Sequence, residues 1–249
     1  YGKQDSALLW NSLGTVMMEQ TVFDNAVLFD EQASQIEPDL ARAYHNIGYC
    51  RATEGNHQAG LENLQKALDM GTLPPNEKAE SEHALAVSML GLGQLDRAWD
   101  HYECRNNPRY SSATVFNIPV PKWDGEPLEG KRLLLIGEQG LGDEIMFLNS
   151  GHDLIKALGP DGHLTIGVQK RLSDLVQRSF PEADVTIHAT IRNNGLPMRG
   201  CPFITDWSTI DCWAPVASVL RVLRTSVDAF PDKGGFLTPD QTRVAHWQS

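Results

Sequence analysis

Apolar positions along this chain change their spacing near residue 131. Before it they recur at helical intervals, in segments separated by short polar turns. After it they come as short continuous runs, each followed by a helical pattern. Leu133-Leu134-Leu135-Ile136 reads as the heart of a strand, Arg132–Ile136, buried on both faces. Ile145-Met146-Phe147-Leu148 then opens an amphipathic segment with Leu154, Ile155 and Leu158, which predicts a helix over about 143–158. Gly159-Pro160-Asp161-Gly162 marks a turn, and a second strand follows at 164–168. Leu172, Leu175 and Val176 predict a helix that Pro181 stops, before a third strand at 185–187. Residues 189–206, with Gly195, Pro197, Gly200 and Pro202, read as irregular. A short strand at 209–212 leads into a helix with Val216, Val219, Leu220 and Leu223, and 237–249 reads as a loop and the start of another helix. Repeated strand–helix alternation predicts a parallel sheet covered by helices.

The earlier part repeats itself. Trp10 and Tyr44 lie 34 positions apart, and Leu13-Gly14 and Ile47-Gly48 share that interval, as do Ala33 and Ala67, and Ile36 and Met70. A large residue, a small one four positions on, and an alanine in a second helix suit paired helices in which bulk on one fills room left by the other. Pro38 ends the second helix. After the break Thr72-Leu73-Pro74-Pro75, a third unit runs through Ala84-Leu85-Ala86-Val87, Met89-Leu90, Gly93 and 96–102. Ala98 falls 38 positions after Gly60, so the intervening loop is about four residues longer. Over roughly residues 6–105 the pattern resembles the tetratricopeptide repeat family, here a short α-solenoid of three helix pairs. The first helices of such pairs line a groove. That places Asn11, Thr15, His45, Asn46 and Tyr49 on a surface expected to hold a peptide or protein partner, unless the helices only brace the next domain. Asn46 falls where O-GlcNAc transferases carry a ladder of asparagines; the other two units have Ser12 and Ala84 there.

Residues 1–107 are therefore assigned to repeats, 108–130 to a linker and 131–249 to a Rossmann-like parallel-sheet lobe, an α + α/β chain. Ile118-Pro119-Val120-Pro121 must be extended, because proline disfavours the helical region for the residue before it. Trp123, among Lys122, Asp124 and Gly125, is expected to pack between the two parts.

The 249 residues, 41% hydrophobic and 21% charged, fit one or two globular domains. A net charge of −11 argues against nucleic acid, which needs a basic face. Arg221 and Arg224 read as part of a solvated helix face. Cys50, Cys104, Cys201 and Cys212 form no C-x-x-C pair and no metal-finger spacing with histidine. They read as reduced thiols and set the expectation of a cytoplasmic protein. The eight histidines include no H-E-x-x-H, so no metal site is expected. No apolar run of ~18 residues suggests a membrane span. The chain opens at Tyr1 straight into a helical pattern without a signal-peptide pattern, which reads as a piece of a longer protein.

Candidate chemistry concentrates in Gly137-Glu138-Gln139-Gly140-Leu141-Gly142-Asp143-Glu144, between the first strand and its helix. Open α/β sheets bind ligands at the carboxyl ends of their strands. Gly140 and Gly142 would let backbone approach a ligand or take positive φ, and unpaired N–H groups at the helix start would favour an anion. The plainest reading is a tight turn with Asp143 as helix N-cap.

Three motifs in order carry a wider resemblance. They are 98–105, of the form W-x-x-Y-E-x-R; 121–131, of the form P-x-W-x-G-x-x-L-x-G-K; and Glu138-Gln139-Gly140-Leu141-Gly142-Asp143-Glu144-Ile145. Together they resemble bacterial tetratricopeptide repeat proteins fused to a glycosyltransferase-like domain of the GT-B fold, similar to ADP-heptose:lipopolysaccharide heptosyltransferases and, more distantly, to O-GlcNAc transferase. The resemblance implies half of a GT-B fold, the lobe that holds a sugar acceptor. A nucleotide sugar is the implied co-substrate, no cofactor is bound tightly, and the donor lobe would lie beyond Ser249. It also implies Asp143 as general base, with Gln139, Gly140, Leu141, Gly142 and Glu144 binding substrate. Relatives continue with Phe-x-Arg-Tyr where this chain has Phe147-Leu148-Asn149-Ser150, so a cation near the cleft is missing. Two other functions stay open. One is a non-catalytic scaffold with a degenerate lobe, which Asn149-Ser150 favours. The other is dinucleotide binding, against which the turn is G-x-G-D rather than G-x-G-x-x-G.

Overall fold

The computed structural model describes residues 6–193, 196–231 and 235–248. The chain divides into two compact units, Tyr1–Ala113 and Thr114–Ser249.

The first unit is helical: α1 (Ala7–Glu19), α2 (Phe23–Ile36), α3 (Ala41–Thr53), α4 (His57–Asp69), α5 (Pro75–Gly91) and α6 (Leu95–Tyr102). Each odd-numbered helix packs on the next, and α2 on α3 and α4 on α5 carry the packing along the unit. Ser6 and Asn56 cap α1 and α4 through their side chains, and Pro75 starts α5, where its missing N–H would have no partner anyway. Gly55 (φ 84°) and Gly93 (φ 74°) close the turns after α3 and α5. The core gathers Ala52, Leu64, Leu85, Met89 and Ala98.

Close helix contact sets the small residues of the repeat. A Cβ on Gly48 would stand 2.6 Å from Leu64 Cγ and 2.9 Å from the Leu64 backbone nitrogen. Gly48→Ala is therefore expected to destabilise this unit by about 1–3 kcal/mol despite alanine's better helix propensity; urea unfolding measures it, and a stabilised variant would contradict the packing.

The second unit contains β1 (Val115–Phe116), β2 (Arg132–Ile136), α7 (Leu141–Phe147), α8 (Gly151–Leu158), β3 (His163–Val168), α9 (Ser173–Ser179), β4 (Asp184–Ile187), β5 (Ala189–Asn193), β6 (Leu196–Gly200), β7 (Cys212–Pro215), α10 (Leu220–Leu223) and α11 (Gln241–Gln248). The main sheet has the order β4-β3-β2-β7, with every neighbouring pair parallel. Leu133 to Ile136 are fully buried in its second-from-edge strand. At the amino ends, the Arg132 guanidinium grips Asp211 (2.6 and 3.1 Å) and holds that carboxyl down to about 2. Among the described residues no helix is long and apolar enough to cross a membrane.

Several elements differ from the sequence expectation. The helix expected over 143–158 starts at Leu141 and is interrupted at Leu148–Ser150. There Asn149 Nδ2 and Ser150 Oγ donate to the carbonyls of Met146 and Phe147, competing with the helical ladder. Within residues 189–206, read as irregular, β5 and β6 form an antiparallel hairpin to which β1 adds in parallel, while 201–206 hold no strand or helix. The last strand of the main sheet is at 212–215 rather than 209–212, and the helix after it shortens to α10. The stretch read as a linker is shared out. Tyr110 and Ala113 pack on Ala79 in the first unit, while Thr114 onward belongs to the second. Residues 121–123 cover the edge of β7, with Trp213 N–H donating to Pro121 O (3.0 Å) and Trp123 N–H to Trp213 O (2.8 Å). Trp123 is buried, and its indole N–H donates to Glu126 O (2.7 Å), so these bonds lie inside the second unit. Arg224 is not on a solvated face. It is 3% exposed, paired with Asp153, and lies over the Phe230 ring; Arg221 pairs with Asp124. Burial pushes the Cys50, Cys104 and Cys201 thiols up to about 12, which keeps them protonated.

Candidate functional site

The Gly-rich turn lies at the carboxyl end of β2, and all four strand ends of the main sheet meet its side chains. Its three carboxylates do different things. Glu138, 1% exposed, accepts from the Ala217 N–H just past β7 (2.8 Å). Glu144, also 1% exposed, reaches the other way. Its Oε2 accepts from the Gln169 N–H just past β3 (2.9 Å), and its Oε1 lies 2.7 Å from Nε2 of His188, just past β4. An ionised carboxylate there requires the imidazole proton on Nε2. Glu138 and Glu144 thus staple the turn to the strand ends on either side. Asp143 is half-buried, and its Oδ2 accepts from the Gly140 N–H (2.9 Å).

Arg199 of β6 braces the turn from below. It donates to Gly137 O (2.8 Å), Gln139 O (3.3 Å) and Thr190 Oγ1 (3.0 Å), and stands 3.9 Å from Glu144 Oε1. Burial pulls its guanidinium below the usual arginine range, against the pull of Glu144 and Glu138. Gly137 must be glycine because a Cβ would meet Glu144 Cδ at 2.5 Å.

The expectations for the two other glycines change. Positive φ falls on Gln139 (55°), not on Gly140 or Gly142. Gly140 is the N-cap of α7 in extended conformation, and Asp143 occupies the third helical position rather than the cap itself. The helix has seven residues, its first turn holds Asp143 and Glu144, and the Gly140 amide is already engaged. These features oppose an anion at this point. Gly142 has open space where a Cβ would stand.

Two cavities lie elsewhere in the second unit. One, of about 390 Å³, is lined by Arg199, Met198, Cys201 and Trp207; the other, of about 820 Å³, by Asn149, His152, Asp153, Phe230 and Phe236. Neither lining includes Asp143. Among the described residues no group of three or more His, Cys, Asp or Glu side chains is placed to hold a metal.

In the first unit the five groove residues come together. Asn11, Thr15, His45 and Asn46 line a cavity of about 360 Å³ with Arg42 and Glu77. His45 and Tyr49 line a neighbouring one of about 460 Å³ with Glu19 and Glu80, and Met18 and His45 belong to both. Asp30 of α2 lies behind them, fully buried. Its Oδ1 accepts from Asn11 Nδ2 (2.7 Å) and Asn46 Nδ2 (3.3 Å), and Asn46 Nδ2 also donates to Thr15 Oγ1 (3.1 Å). Burial raises the Asp30 carboxyl to about 7, although both amides oppose the shift. His45 Nδ1 lies 2.7 Å from Ser81 Oγ, and burial lowers the His45 imidazole.

Gln169, His188, Arg199 and Asp30 were not among the sequence candidates, and Glu138 had no role of its own within the turn. Gln169 and His188 each directly follow a strand, a signal readable from strand ends alone. Arg199 sits in the stretch read as irregular.

No family model matches the chain. Protein FlbA of Caulobacter vibrioides is 40% identical over 245 residues, 98% of this chain and 41% of FlbA, so the chain spans about two fifths of the length of the curated relative it matches. A solved structure of a mutant Thermobaculum terrenum O-GlcNAc transferase aligns at 15% identity with a TM-score of 0.37, over 74% of this chain and 42% of that one. That likeness is too weak to bear on fold or activity.

Proposed function

We propose that the second unit is the acceptor-side lobe of a nucleotide-sugar-dependent glycosyltransferase, with Asp143 as general base, and that the first unit is a tetratricopeptide-like solenoid attached to it. The observation that carries this reading is the unequal fate of the turn's carboxylates. Glu138 and Glu144 are buried and bound, whereas Asp143 is half-buried at the rim where strand ends meet. The three-motif resemblance supplies the reaction class. The position supplies the chemistry: a carboxylate within hydrogen-bond reach of an acceptor hydroxyl takes its proton as the sugar bond forms. The open space over Gly142 leaves room for that acceptor beside Asp143. Burial withdraws Glu144 from substrate contact and makes it a support for the turn. The nucleotide sugar would be held by a lobe outside this chain.

In a protein that joins this chain to a donor-binding lobe, Asp143→Asn is expected to lower transfer by about 10²–10⁴-fold. The amide oxygen can still accept from Gly140 N–H, so the folded state should persist. Unchanged turnover would remove the base assignment.

A second reading is a binding scaffold in which the helical unit holds a partner. The observation favouring it is the pair of adjoining cavities whose linings draw on α1, α3 and α5, the first helix of each pair.

A further inference from the structure

We propose that the trough along α1, α3 and α5 takes an extended basic peptide, one whose Lys or Arg side chains and backbone N–H groups meet a wall of oxygen acceptors. This rests on reading that face as a partner groove and does not depend on the transferase reading.

The argument starts from a residue out of place. Asp30 lies 34 positions before Leu64, and both sit opposite the glycine of their pair, Gly14 and Gly48. The second pair uses a leucine there; the first uses a fully buried carboxylate whose Oδ2 has no hydrogen-bond partner among the described residues. Burying a carboxylate where leucine fits costs stability. What it provides is orientation. Asp30 holds the amide nitrogens of Asn11 and Asn46, and Thr15 takes a further bond from Asn46. With its nitrogen engaged twice, Asn46 has only its carbonyl oxygen left to offer. No hydrogen bond to that oxygen, or to that of Asn11, is made among the described residues. Both side chains are at least nine-tenths buried, and both residues line the cavity.

The charges point the same way. Glu19, Glu77 and Glu80 line the two cavities, against Arg42, which is already bound to Glu77 at 2.7 Å. His45, at the junction of the cavities, is kept neutral by burial and does not offset them. Because the cavities share Met18 and His45 they adjoin, and their joint lining reaches from Asn11 on α1 through Thr53 on α3 to Glu80 on α5, which suits an extended segment.

The test is fluorescence anisotropy with three labelled ten-residue Gly/Ser peptides, carrying four Lys/Arg, four Glu, or no charge. The basic peptide should bind at least about tenfold more tightly than the neutral one and weaken with added salt. Glu19→Lys should weaken it several-fold, and Glu182→Lys, on the exposed surface of the other unit, should not. Asp30→Leu, which keeps the groove carboxylates but frees the asparagine amides, should also weaken it. Equal loss with Glu182→Lys would reduce the effect to overall charge and overturn the proposal. Groove-dependent binding of the neutral or acidic peptide at equal affinity would overturn the basic specificity while leaving a groove. Binding of none of the three would overturn the groove reading as well.

Discussion

Glu144→Ala is expected to lower the stability of the second unit by about 3–5 kcal/mol, the usual cost of removing one partner from a buried charged network. Glu144 is 1% exposed and joins three segments distant in sequence: the Gln169 amide, His188 and, at 3.9 Å, Arg199. Alanine would leave the Gln169 N–H without its acceptor, and a guanidinium 8% exposed with a weaker carboxylate field. It would also open space against Gly137. Domains are stable by only about 5–15 kcal/mol, so much of the margin would be lost. Glu144→Gln keeps an acceptor and should cost less, about 1–3 kcal/mol. Urea unfolding followed by amide exchange in β2, β3 and β4 gives the number. A loss below about 1 kcal/mol for the alanine variant would show that the strand ends hold together without this staple.

The second large effect is a pH dependence in the first unit. The Asp30 carboxyl is raised from 3.8 to about 7 by burial, so the folded state binds its proton more tightly than the unfolded chain does. Its contribution to stability is complete below about pH 4 and falls away as pH rises to about 7, above which it is constant at its lowest. The difference is at most about 4 kcal/mol. Buried His45 and half-buried His83 act in the opposite sense. Their imidazoles are lowered, so they cost stability as pH falls through the range where the unfolded histidines charge. The Asp30 effect is therefore read as the difference between wild type and Asp30→Asn. The variant should gain relative stability steadily between pH 4 and pH 7, measured by urea unfolding followed through α1–α3 amide exchange. A difference that does not change with pH would place the carboxyl's titration outside this window.

Much of the architecture was legible because burial on both faces writes itself as an unbroken apolar run. Leu133 to Ile136 is such a run; residues 164–168 keep only Leu164, Ile166 and Val168 of that pattern, and both segments are central strands. The helix pairs were legible from a period of 34 because close packing restricts Gly48 as strongly as it restricts Leu64. The hairpin of β5 and β6 is hidden in the sequence because Pro197 and Gly200 read as breakers. Yet this hairpin lies outside the main sheet, and Asn193-Asn194-Gly195 carries a hairpin-turn signal of its own. Residues 194–195 themselves fall outside the described residues. Strand β7 was placed three residues early because its last residue is Pro215, tolerated at the end of an edge strand. The turn was found from its glycines, but their reasons were not. Gly137 yields to a side chain seven residues on, and positive φ falls on Gln139. The partners of Glu138 and Glu144 lie 79, 25 and 44 residues away; Gln169 and His188 stand out by following strands, but which side chain each meets is decided only when the strand ends assemble.

One comparison tests most directly whether the turn divides into two structural carboxylates and one that meets substrate. Glu138→Gln, Glu144→Gln and Asp143→Asn are made in a protein joining this chain to a donor-binding lobe, and urea midpoint and sugar transfer are measured on the same samples. The first two should lose stability, and Asp143→Asn should lose transfer at an unchanged midpoint. Transfer that survives Asp143→Asn, or a midpoint that falls as far as in Glu144→Gln, would contradict that division.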